Sequence, residues 1–110
     1  MNILEVEDME NLSRKFEREL LANVYEAKVK CKYNASYFCR MIAEYGGVAT
    51  AKNLIEKAIR TGEPSDGYVK LLMLGRTDLS MEHSVCKEEY KSLFTEEEIQ
   101  YCKEIISNSK

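Results

Sequence analysis

The stretch Met9–Cys31, MENLSRKFERELLANVYEAKVKC, decides the fold. Its apolar residues fall at Met9, Leu12, Phe16, Leu20, Val24, Ala27 and Cys31, which is 22 residues in six steps, about 3.7 per step. That is the period of an α-helix. A long coiled coil would hold about 3.5, and Asn23 and Lys30 interrupt any strict heptad. The stripe therefore belongs against other helices of the same domain or against a partner helix.

Downstream of it the same period recurs in shorter pieces. Asn34 is placed to cap a second helix whose apolar face is Phe38, Met41, Ile42 and Tyr45, ended by Gly46 and Gly47. A third helix carries Val48, Ala51, Leu54, Ile55, Ala58 and Ile59 and stops at Gly62, and so short a joint predicts that the two lie antiparallel. Pro64 forces a break, after which Ser65 caps a fourth helix with Tyr68, Leu71 and Leu72 that stops at Gly75. Ser80 caps a further short turn with Met81 and Val85, and Lys87 to Lys91 is polar and open to either reading.

The last helix is the best specified. Thr95 and Glu98 form a capping box, Phe94 and Ile99 occupy the places of a hydrophobic staple, and Glu96, Glu97 and Glu98 lie at the positive end of the helix dipole. Apolar and polar residues alternate only over Ala27–Lys32, a run that also fits the first helix with Lys28 and Lys32 one turn apart. The predicted fold is all-α, one small domain of five or six helices. Residues 1–32 form a long N-terminal amphipathic helix, and residues 33–110 a compact helical module packed with it.

Length and composition bound the function. The chain has 110 residues, enough for a real core but too few for a deep two-domain catalytic cleft. Its 45% apolar and 32% charged residues are those of a folded chain rather than a disordered one. Met1–Glu10 carries four acids and no base, unlike a secretory signal or transit peptide. The longest run of large apolar residues, Leu71–Leu74, is far short of a membrane span. Cys31, Cys39, Cys86 and Cys102 include no CxxC pair and read as buried thiols in a reducing compartment, so the expected location is cytoplasmic, with no membrane partner.

The words YNASYFCRMIAEYGGVATAKNLI (33–55), PSDGYVKLLMLGRTDLSMEHSV (64–85) and LFTEEEIQYCKEII (93–106) carry a resemblance. From Tyr33 to Ile106 the chain resembles a short helical module of uncharacterised bacterial proteins, some of which hold HNH or other restriction-type nuclease domains elsewhere. The resemblance covers about two thirds of the 110 residues and implies a bacterial or phage setting near DNA restriction and defence. It carries no nuclease chemistry here, because a single histidine, His83, cannot supply an HNH metal core.

Three constellations are candidates for chemistry. His83 and Cys86, three residues apart, can share a helical face as two zinc ligands or a base–thiol pair, but two ligands do not make a zinc site. Asp78 and Glu82 with Arg76 nearby form a possible carboxylate pair, although Asp78 and Ser80 stand at a helix start with Glu82 in its first turn, and Arg76 can pair with either acid. The chain is acidic overall, with a net charge of −3, and only residues 31–63 are net basic, with five bases against three acids. With the end of the first helix, they supply Lys28, Lys30, Lys32, Arg40, Lys52, Lys57 and Arg60, a candidate phosphate-contacting face for an accessory nucleic-acid-binding role. No Gly-rich phosphate loop, Gly-x-Ser-x-Gly or His-Glu-x-x-His is present, so the expectation is no catalytic residue, no cofactor and no metal.

The first helix is the candidate partner surface. Leu21, Tyr25 and Val29 widen its stripe beyond Leu12, Phe16 and Leu20, and a helix apolar over more than one narrow face buries on two sides. The expected partner residues are Phe16, Leu20, Leu21, Tyr25 and Val29, with a protein partner or a second copy in a homodimer. The function expected is a non-enzymatic interaction protein, in one form an inhibitor or accessory of a defence nuclease.

Overall fold

A computed structural model describes residues 2–109. Helix α1 spans Ile3–Cys31 and begins two turns before the periodic stripe, because Asn2 caps it: its Oδ1 accepts the Glu5 N–H at 2.9 Å. It ends at Lys32, whose left-handed φ of 56° turns the chain so that the Tyr33 N–H reaches the Ala27 carbonyl at 3.1 Å. Tyr33 then packs on the small cluster of Ala27, Leu71 and Leu79.

α2 (Ser36–Tyr45) and α3 (Gly47–Thr61) meet at Gly46, whose φ of 87° is open only to glycine at low cost. Asn34 does not cap α2. The helix starts at Ser36, Ala35 holds the cap position without a side-chain bond, and Asn34 is exposed one residue too early in the extended segment after Tyr33. Gly47 is where α1 touches α3. Its N–H donates to Glu17 Oε1 at 2.7 Å, satisfying an otherwise orphan donor of the helix start. A Cβ there would stand 2.9 Å from the Glu17 Cα and Cβ atoms.

α4 (Asp66–Met73), α5 (Met81–Val85) and α6 (Glu96–Asn108) begin at the expected caps, Ser65, Ser80 and Thr95, and the Thr95–Glu98 capping box is complete. Short 3₁₀ turns, Thr77–Leu79 and Glu88–Leu93, link α4 to α5 and α5 to α6. The second of these settles the open reading of Lys87–Lys91, because it carries the fully buried ring of Tyr90.

Among the described residues the fold is all-α, six α-helices with two 3₁₀ turns. One core joins Phe16 and Leu20 of α1 to Ile42, Ala51 and Ile55 of α2 and α3, to Met81 and Val85 of α5, and to Tyr90, Leu93, Phe94 and Cys102. α1 is thus a wall of the core along its middle. Its first turn carries exposed Ile3 and Leu4.

Gly47→Ala is expected to destabilise the protein by about 1–3 kcal/mol, because the added methyl meets backbone rather than a flexible side-chain end. Urea unfolding followed by circular dichroism measures it. A midpoint equal to wild type would mean that α1 and α3 do not approach this closely.

Candidate functional site

α1 turns about 100° per residue, which sets its two apolar rows on opposite sides. Phe16 and Leu20, at 0% and 1% exposure, face the core, so they are not part of a free surface. Burial by the chain's own α3, α5 and 3₁₀ turn removes them from the expected partner set. Leu21, Tyr25 and Val29 lie on the outer side at 40%, 69% and 58% exposure. Spaced i, i+4, i+8, they form a continuous apolar row over two turns. Val69, Leu72, Met73 and Leu74 at the end of α4 are further exposed apolar residues, so Leu72 does not share the burial of Leu71, with which its period groups it.

The basic residues do not all remain free for phosphate. Lys28, Lys32, Arg40, Lys57 and Arg60 are exposed, but Lys52 is half-buried, with its ammonium 2.7 Å from Glu98 Oε1 and 5.4 Å from the centroid of the Phe94 ring. It fastens α3 to the start of α6. Burial alone would raise the Glu98 carboxyl, yet the hydrogen bond and charge of Lys52 and the Thr95 cap hold it below the ordinary range. Arg40 stacks over its neighbour Tyr37, 5.6 Å from the ring centroid.

His83 and Cys86 do share a shallow depression, with Lys87 and Lys103 at its edge. The Cys86 thiol is pushed up by burial and by the Glu82 carboxylate, against the opposing charge of Lys103. That is the wrong direction for a nucleophile. The Cys102 thiol is likewise raised by burial. Among the described residues no three His, Cys, Asp or Glu side chains converge as a metal site.

Arg76 pairs with Asp78 at 3.0 Å and reaches back to Glu26 of α1, not to Glu82. Glu82 is instead buried, at 2% exposure, although its place in the first turn of α5 reads as that of a helix-start acid. Its Oε2 accepts the Ser65 hydroxyl at 2.8 Å while the same Ser65 oxygen accepts the Tyr68 N–H at 3.2 Å. One serine thus caps α4 with its lone pair and spends its proton on α5. Burial raises the Glu82 carboxyl, outweighing the opposing bonds from its own amide and from Ser65. The phenol of Tyr101 is buried without a partner, and burial followed by the Glu82 charge pushes it up to about 12.

Glu82 and Ser65 form part of the wall of a partly open cavity of about 410 Å³ lined by the second half of α1, the Tyr33–Tyr37 segment, α2, α3, the start of α4 and Leu79–Glu82. That is the size range of small-ligand pockets, apolar with a few convergent polar groups. No local signal in the sequence marks it, because its one buried carboxyl comes from a turn 17 residues beyond the serine that binds it.

Because folding raises the Glu82 pKa, its contribution to stability is complete below the unfolded carboxylate value and is lost as pH rises through the folded value. Glu19, Asp78 and Glu98, held low, act in the opposite sense, and their contributions fall away as pH falls. Comparing wild type with Glu82→Gln cancels those shared terms. The urea midpoint of E82Q is expected to match wild type near about pH 4 and to exceed it near about pH 8. A difference that stays flat over that range would show that Glu82 is ionised at no cost in the fold.

No family model, no curated protein and no solved structure matches this chain.

Proposed function

We propose that this chain is a protein-binding regulatory module, without catalytic chemistry of its own, that engages its partner through the outer row of α1. The observation that carries this reading is the exposure of Leu21, Tyr25 and Val29 on the side of α1 turned away from the core. A two-turn apolar row on a helix already fastened along its inner face is a rigid surface, and rigid apolar helix faces dock against a complementary helix or groove. Tyr25 at its centre combines a large apolar ring with a polar tip, the residue type favoured in interfaces.

The resemblance of residues 33–106 supports a bacterial or phage setting near DNA restriction and defence, within which a defence nuclease is one form of the regulated partner. A second copy meeting the same row about a twofold axis is the homodimeric form of this surface. Binding through the basic middle is the weaker reading, because Lys52 is engaged with Glu98.

Tyr25→Ala and Val29→Glu, both on exposed positions, are expected to leave the helical circular dichroism and the urea midpoint within about 0.5 kcal/mol of wild type. The tagged wild type is expected to retain a stoichiometric protein from its source lysate after nuclease treatment, and both variants are expected to lose it. Sedimentation velocity separates a second copy from a different chain. Capture that vanishes with the nucleic acid, or that V29E leaves intact, would overturn the proposal.

A further inference from the structure

We infer that the cavity beneath the start of α4 is a binding site for a small organic ammonium with an apolar body, its charge paired with the Glu82 carboxylate. This goes beyond the partner surface, since Val24 and Ala27 line the cavity from the inner side of α1 while Leu21, Tyr25 and Val29 face away.

The first argument is charge. Of the partly buried acids, Glu19, Glu26 and Glu98 each have a cation of the chain against them, Lys87, Arg76 and Lys52, while Glu17 takes the Gly47 N–H at a helix start. Glu82 is more buried than any of these, and among the described residues no Lys, Arg or His forms an ion pair with it. A buried carboxylate with neutral donors alone, the Ser65 hydroxyl and its own amide, and no cation is an incomplete pair. An ammonium entering the cavity completes it.

The rim adds to the same sign. Glu63 and Asp66 border the cavity with Lys57 as the one opposing cation, and Asp66 sits close enough to Tyr33 to raise its phenol, after burial. The lining therefore holds three acids against one base, a field that concentrates cations and repels anions.

The walls select the rest of the ligand. Val24, Met41, Leu54 and Leu71 are apolar, and Tyr33 and Phe38 add aromatic rings of the kind that hold ammonium groups by their faces. A metal ion would want several converging carboxylate or other ligand side chains, and among the described residues no three His, Cys, Asp or Glu converge. An ammonium with a hydrocarbon or aryl body uses both the carboxylate and these walls, and about 410 Å³ accommodates one with room to spare.

Isothermal titration of the full chain in amine-free phosphate buffer tests this with three probes of one shape: phenethylammonium, 2-phenylethanol and phenylacetate. The ammonium is expected to bind at least about tenfold more tightly than the alcohol, the carboxylate not at all, and E82Q to lose that preference. Amide nitrogen–proton spectra of the wild type locate the site independently of any variant. Shifts with phenethylammonium are expected at Ser65, Tyr68 and Glu82 and not at Glu88–Leu93. Equal binding of ammonium and alcohol, no binding of the ammonium at about 10 mM, or shifts elsewhere in the chain would each overturn the inference.

Discussion

Phe16 is packed edge-on between two rings, with the centroids of Tyr90 and Phe94 both 5.1 Å away, and the rest of the bundle depends on that contact. It brings the 3₁₀ turn after α5 and the approach to α6 onto the middle of α1, joining chain segments more than 70 residues apart. The flanking residues repeat the joint in polar form. Lys15 meets Glu89, Glu17 takes the N–H of Gly47, and Glu19 accepts the Tyr90 hydroxyl at 3.0 Å and pairs with Lys87. Magnitudes rank these contributions. A buried phenylalanine is worth about 3–5 kcal/mol against truncation, while an exposed ion pair such as Lys15–Glu89 contributes about 0–1 kcal/mol. The aromatic contact holds α1 in place and the polar ones set its register.

What could be read from the sequence was what local chemistry dictates. Period located α1, and Ser65, Ser80 and Thr95 announced three helix starts, because a cap is a bond between residues two or three apart. Asn34 misled for the same reason. Its type suits a cap, but the left-handed turn at Lys32 and the docking of Tyr33 delayed the helix to Ser36, and those depend on contacts made elsewhere. Periodicity also revealed two apolar rows on α1 without saying which one the core takes. Phe16 went inside because Tyr90, from a stretch that reads as polar, supplies a ring that packs on it, and Leu20 lies in the same core cluster.

The cavity was illegible on the same grounds. Nothing near Glu82 in sequence distinguishes it from Glu96 or Glu97, acids at a helix start that remain exposed. Its burial follows from Ser65, which sits on another helix and whose orientation is set by capping α4. A serine that must accept from Tyr68 N–H has its proton left to donate, and Glu82 is the acceptor it finds. The capping requirement of one helix thereby positions the buried carboxyl of another.

Set against the other acids, that position marks the division of labour in the molecule. Glu19, Glu26 and Glu98 bridge elements, each drawn partly inward with a cation, and burial is offset pair by pair. For Glu19 and Glu98 the partners win over burial, and both carboxyls are held low. At Glu82 burial wins, since its own amide and a hydroxyl cannot replace a cation. A carboxyl left in that state on the floor of an apolar cavity works against the fold when ionised. The same charge is felt on α6, where with burial it raises the Tyr101 phenol and the Cys102 thiol, and in the cavity wall that Glu82 shares with Ser65.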